Sequence, residues 1–167
     1  MKKLAFPDFP RAEYEQRYER IQRILRAKGM DALFLTNRSN IRYFAGLRDG
    51  AWDAYHFYFL TLLPVEGPPV LMVGHGFEHL VKQCWIEDVR FWPWSKQFYM
   101  DRKSNAVSLV LDVLKERNLD RSTVGMELSG NMQVNMGQDH FNELREGLPQ
   151  ARIVAVSYTH LRAHETR

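Results

Sequence analysis

Apolar positions in the first thirty residues recur at helical spacing: Tyr14, Tyr18, Ile21, Ile24 and Leu25 share one stripe, with Pro10 ahead of it and Gly29 behind it. Proline suits the first turn of a helix and glycine its left-handed closure, so the pattern predicts an amphipathic opening helix. The period then shortens. "DALFLT" is a buried-strand run, and "NRSNIRYFAG" reads as a polar loop entering a short apolar segment that stops at Gly46. "HFYFLTLLP" and "PPVLMVG" are β-rich runs separated by the turn signal "VEGP", which predicts a hairpin. "FEHLVKQC" has helical character, and "VRFWPW" is a strand ended by Pro93, with at least one of Trp85, Phe91 and Trp92 expected in the core. "NAVSLVLDVLKERN" places Val107, Val110, Leu111 and Leu114 on one helical face. The strand "TVGMEL", the helix "GQDHFNELREGLP", closed by Gly147 and Pro149, and the strand "ARIVAV" complete the pattern.

Strands and helices alternate with one hairpin interrupting. That order predicts an α/β fold: a mixed, mostly parallel sheet of about five or six strands with helices on both faces. A chain of 167 residues that is 45% hydrophobic suits one domain with a full core, and no internal repeat or low-complexity linker divides it.

Composition narrows the classes of function. No apolar run reaches the roughly 18 residues that span a bilayer, and the opening "MKKLAFPDFPRAEYEQRYER" becomes charged too early for a signal-peptide core, so the expectation is a cytoplasmic protein with no membrane partner. The single Cys84 is expected as a reduced, packed thiol. The net charge of +3 invites a nucleic-acid reading, but basic and acidic residues interleave, as in "EYEQRYERIQR", and no recognition signature accompanies them. No nucleic-acid partner is expected.

Four local patterns carry candidate chemistry. "HGFEH", His75 to His79, matches H-x-x-E-H, in which two histidines bind zinc and the glutamate acts as base. That chemistry needs all five residues inside a helix, whereas Gly74 and Gly76 flank His75 just after a strand and favour a loop. The glycines of "VGHGFEH" also follow a strand as in a dinucleotide fingerprint, but His79 stands at the third glycine position, leaving a plain strand-to-helix turn. Ser129, in "ELSGN", lacks a nucleophile elbow. "LRDGAWDAYHF" differs in kind. It gathers Arg48, Asp49, Trp52, Asp53, Tyr55 and His56, rigid rings beside both signs of charge, as small-molecule pockets and interfaces do, and as a solvated connection with one ring tucked into the core also would.

The stretch "FPRAEYEQRYERIQRILRAKGMDALFLTNRSNIRYFAG" resembles the opening of the creatinase/prolidase/aminopeptidase P N-terminal domain. The resemblance rests on Gly29, Asp31 and Ala32 at a strand entry, then on Asn40, Ile41, Tyr43 and Gly46, which in that family lie on a helix before a glycine. The later "TVGMEL" strand, the helix after it and "ARIVAV" are similar to the closing elements, so the likeness covers about residues 8–155. It implies a non-catalytic domain that precedes a "pita-bread" catalytic domain, forms homodimer contacts and reaches over the partner subunit's active site. In the peptidases the catalytic half holds a divalent metal pair, manganese or zinc; creatinase acts without one. The resemblance therefore implies no catalytic residue, metal ligand or cofactor within this chain. It implies a substrate-binding role for Arg48, Trp52, Asp53, Tyr55 and His56, and a small peptide or nitrogenous small molecule as the substrate. Two other readings stand beside it: a self-contained zinc hydrolase built on His75, Glu78 and His79, and a stand-alone module binding a small ligand.

The closing "VSYTHLRAHETR" holds His160 and His164 four residues apart with Glu165 beside them, a spacing that can supply two metal ligands. The string is also similar to translated read-through into a sequencing-library adapter. Residues 1–155 are accordingly expected to form the domain, and residues 156–167 a tail outside it in a truncated reading frame.

Overall fold

The computed structural model describes residues 9–47, 59–82, 84–93, 105–129 and 134–156. The opening stripe forms α1 (Arg11–Ala27), which follows Pro10 and buries Tyr14, Tyr18, Ile21 and Leu25. It closes through Gly29, at φ 64°, which lets the Met30 N–H reach back to the Leu25 carbonyl at 3.0 Å. Then come β1 (Ala32–Leu35), α2 (Arg38–Ala45), β2 (Phe59–Pro64), β3 (Val70–Gly74), α3 (Glu78–Val81) and β4 (Asp88–Trp92), followed by α4 (Asn105–Glu116), β5 (Thr123–Met126), α5 (Gln138–Gly147) and β6 (Arg152–Ala155).

The six strands lie in the order β4-β3-β2-β1-β5-β6. β3 and β4, β1 and β5, and β5 and β6 pair in parallel, while β2 is antiparallel to both of its neighbours. Five strands thus point one way and β2 alone returns, as the hairpin pattern requires. Alternate side chains feed two cores. Leu33, Leu35, Phe59, Leu63, Leu71 and Val73 pack with α1, α2 and α3; Ala32, Phe34, Leu60, Leu62, Val70 and Met72 pack with α4 and α5. Both faces are covered, so the central strands read as unbroken apolar runs. Trp92 is the buried ring of the aromatic trio, at 4% exposure.

Three elements differ from the sequence pattern. "NRSNIRYFAG" is an ordinary helix, α2, whose buried face includes a polar residue, Asn40, beside Ile41, Phe44 and Ala45. The "FEHLVKQC" helix is a single turn, because Gly76 takes φ 98° and only Leu80 of the helix is buried. The last ladder also runs to Val156, which is buried and donates its N–H to the Met126 carbonyl at 2.8 Å. Val156 is the last of the described residues.

Candidate functional site

Five strands end on the same edge of the sheet, and in such sheets ligands bind beyond the carboxyl ends, where consecutive connections leave to opposite faces. Here β1 leads into α2 on one face and β5 leads towards α5 on the other. The crevice between β1 and β5 is that point.

A buried carboxylate fills it. Glu127, the residue after β5, is 1% exposed. Its Oε2 accepts from the backbone N–H groups of Thr36 at 2.8 Å and Asn37 at 2.7 Å, and from the Thr36 hydroxyl at 3.4 Å. Its Oε1 accepts from the Asn40 side-chain amide. The Thr36 hydroxyl in turn accepts from the Asn135 N–H at 3.1 Å, and Asn37 caps α2 by accepting from the Ser39 N–H at 3.0 Å. Burial pushes the Glu127 carboxyl above the ordinary carboxylate value, against the opposing pull of the Asn40 amide and the Thr36 and Asn37 donors. With both oxygens engaged, this group ties the start of α2 to the end of β5 and is not free to act as a base. Around it, Asn40 Oδ1, Ser129 Oγ and Asn135 Nδ2 are buried without a hydrogen-bond partner.

The other end of α2 is held from outside the helix. The Gly46 N–H, at φ 74°, takes the Arg42 carbonyl, which leaves the last three carbonyls, those of Tyr43, Phe44 and Ala45. Each receives a side-chain donor: Arg17 Nη1 at 2.8 Å, Trp85 Nε1 at 2.6 Å and Cys84 Sγ at 3.0 Å, respectively. The Arg17 guanidinium lies 4.3 Å from the Phe9 ring centre and 4.2 Å from that of Tyr43, and its Nε donates to Glu13 at 3.0 Å. Burial pushes the Cys84 thiol up to about 11, so it serves as a donor and not as a nucleophile.

The H-x-x-E-H stretch does not assemble as a zinc site. His75 lies in the turn before α3, its Nδ1 3.0 Å from Glu78 Oε1 and its ring stacked on Phe91. Glu78 also accepts from the Gly76 N–H at 2.8 Å, and hydrogen bonding from His75 and the backbone holds its carboxyl below the usual range. With Gly76 left-handed, His75 and His79 are not on successive turns of one helix, as the pattern demands. Among the described residues, no three His, Cys, Asp or Glu side chains gather as a metal-ligand set.

Arg48, Trp52, Asp53, Tyr55 and His56 lie outside the described residues, as do His160 and His164. The two flanks of that aromatic segment are described: Leu47, buried just past α2, and Phe59, which opens β2 opposite Val73 at the carboxyl edge of the sheet. Trp85 was read only as a core candidate, and Glu127 and Arg17 escaped the sequence reading. Their one visible signal is an isolated polar or charged residue within or beside an apolar run, which also describes many solvated positions. No helix of the described residues is long and apolar enough to cross a membrane.

Comparison with known proteins matches residues 17–164 to the creatinase/prolidase N-terminal domain family. An uncharacterized hydrolase/peptidase of Sinorhizobium fredii is 26% identical over 147 residues, a match covering 84% of this chain and 35% of the relative, so the chain spans about a third of that protein's length. Dipeptidase PepE from Mycobacterium ulcerans superposes with a TM-score of 0.66 at 19% identity, over 95% of this chain and 38% of its own. The N-terminal domain of the cytoplasmic peptidase PepQ from Mycobacterium tuberculosis H37Rv gives a TM-score of 0.62 at 15% identity, over 89% of this chain and 97% of its own. With its six-stranded sheet, its covered faces and a family match over most of its length, the chain belongs to the creatinase/prolidase N-terminal domain family.

Proposed function

We propose that this chain is the non-catalytic N-terminal domain of a cytoplasmic Xaa-Pro peptidase or creatinase-type hydrolase, contributing dimer contacts and part of the neighbouring subunit's substrate site. One observation carries the reading. The chain covers 97% of a solved N-terminal domain but only 38% of a whole dipeptidase, so it corresponds in extent to the domain that precedes the catalytic half. In this reading any divalent metal pair, manganese or zinc, is held by that catalytic half.

Within this reading, the segment from Arg48 to His56 contacts the substrate. Arg48 or His56 pairs with the carboxylate of a small peptide, Trp52 or Tyr55 covers its apolar side chain, and Asp53 meets a cationic group. In the full-length dimer, Trp52→Ala and His56→Ala should raise KM more than they lower kcat on an Xaa-Pro dipeptide, because binding is lost while the chemistry is intact. The isolated chain supplied with manganese or zinc should hydrolyse no Xaa-Pro dipeptide. Turnover by the isolated chain, or an unchanged KM in both variants, would overturn the assignment.

A further inference from the structure

The sheet has two outer strands, β4 and β6, and the unpaired backbone groups of an outer strand attract another strand unless something guards them. β4 is guarded. Arg90 donates to Asp88 and Glu116, and Arg117 donates to Asp88, so this strand carries a network of charge that ties it to the end of α4. Among the described residues β6 has no such network. In its parallel ladder with β5, the N–H groups of Arg152 and Val156 point inwards to the Ser122 and Met126 carbonyls, so by alternation Ile153 and Ala155 turn their N–H and C=O groups outwards. Arg152 and Ala155 are exposed, and Ile153 and Val154 are half-buried, as an uncovered edge requires.

Beside that edge, on the face covered by α4 and α5, lies a cleft of about 420 Å³. Leu128, Phe141, Leu148, Pro149 and Ile153 wall it, and its charged lining residue is Arg145. The Arg145 guanidinium lies 6.0 Å from the Phe141 ring centre. Both Arg145 and Arg152 are exposed, and among the described residues neither enters an ion pair. An open edge, an apolar cleft and unpaired cations are the parts of a strand-addition site. Main-chain bonds hold an extended segment, alternate side chains enter the cleft, and acidic groups answer the arginines. We infer that the outer edge of β6 and the cleft beside it dock an extended, acidic peptide segment whose alternate side chains are apolar. A second copy of β6 is a poorer occupant, because its sequence, RIVA, carries an arginine and no acid. This surface is independent of the substrate-binding segment proposed above.

The test titrates the 167-residue chain with a terminally blocked, fluorescein-labelled peptide that alternates valine with threonine and ends in two aspartates, followed by fluorescence anisotropy and amide NMR. Binding should saturate. The Ile153 and Ala155 amides should gain protection from exchange, while those of Arg152 and Val154, which face β5, stay as they are. Arg145→Glu, at an exposed position, should weaken binding about five- to tenfold by removing an attraction and adding a repulsion, and the same peptide ending in two lysines should bind wild type more weakly by a similar factor. Ala155→Pro removes one outward N–H at an edge position, where proline is tolerated, and should abolish binding. Should that variant fail to fold, two peptides, N-methylated at every valine or at every threonine, replace it, and only one of them should lose binding. No saturable binding, shifts that miss Ile153 and Ala155, equal affinity for the two charged peptides, or unchanged affinity in Arg145→Glu would overturn the assignment. Protection of the same two amides that grows with protein concentration in the absence of peptide would give the edge to a second copy and overturn it as well.

Discussion

Replacing Glu127 by alanine should expose how much of the domain depends on a single buried carboxylate. The substitution leaves the Thr36 N–H and the Asn40 amide, both buried, without an acceptor, and loosens the half-buried Asn37 N–H, which can still meet water. At about 1 to 3 kcal/mol for each buried donor left unpaired, the cost is about 2 to 6 kcal/mol. For a domain of this size that corresponds to a fall in melting temperature of roughly 5 to 20 °C. Glu127→Gln should behave differently. Its amide oxygen can still accept from Thr36 and Asn37, and its amide nitrogen finds an acceptor once Asn40 turns its own amide, since Asn40 Oδ1 has no partner in the native arrangement. The Thr36 and Asn37 donors stay paired and a buried ionisable group is removed, while the turned Asn40 amide gives up its own acceptor, so the cost should be about 1 to 3 kcal/mol, at the lower end of the range for Glu127→Ala. The two variants also separate by pH. Burial raises the folded-state pKa of Glu127 above its unfolded value, so its favourable contribution is present below the unfolded value and lost as pH climbs through the folded one. The stability of wild type relative to Glu127→Gln should therefore decline on going from about pH 4 to pH 7. Urea unfolding followed by far-UV circular dichroism at several pH values measures all three quantities. A loss under about 1 kcal/mol for Glu127→Ala, equal losses for the two variants, or a pH-independent gap would refute the reasoning.

Two further outcomes follow from packing. Trp92→Ala, in the core beneath α4, should cost about 3 to 5 kcal/mol in the same assay, while partly buried Phe91, stacked on the exposed His75, should cost clearly less. Truncation before Val156 should be less stable than truncation after it by about 1.5 to 3 kcal/mol, because the Val156 side chain is buried against Gly125 and its N–H closes the β5–β6 ladder; equal melting temperatures for the two would place the end of the domain at residue 155.

The fold was largely legible because its elements obey simple periods. Val107, Val110 and Leu114 mark α4 without ambiguity, and the unbroken apolar strands announce a sheet covered on both sides. α2 was harder. Its buried face opens with Asn40, whose polarity breaks the apolar stripe, and the reason for that polarity is Glu127, 87 residues away. No local pattern contains that pairing; only the parallel alignment of β1 with β5 creates it. The same holds for Arg17, a charged residue on an otherwise apolar face of α1, which is buried because two rings and a helix end meet there. The aromatic segment stands out by composition, since rings beside charges do so in any context, and its residues lie outside those the structure describes. The H-x-x-E-H spacing is present, but, as its flanking glycines indicate in the sequence, the backbone at Gly76 keeps the residues off a common helix.

The sheet order also sets a timetable for assembly. β1, β2, β3 and β4 each pair with the strand next in chain order, so they can zip together early. β5 has no such advantage, because its partner is β1, with Ala32 facing Val124 across some ninety residues of chain. Closing that span is an entropic cost met only when α4 has formed and its apolar face has found the sheet. The Glu127 contacts with Thr36, Asn37 and Asn40 bridge that gap, so they belong to the last interactions made and the first released. Weakening them should leave the folding rate nearly untouched and speed unfolding, so the grip of one carboxylate sets how long the domain stays closed once it has folded.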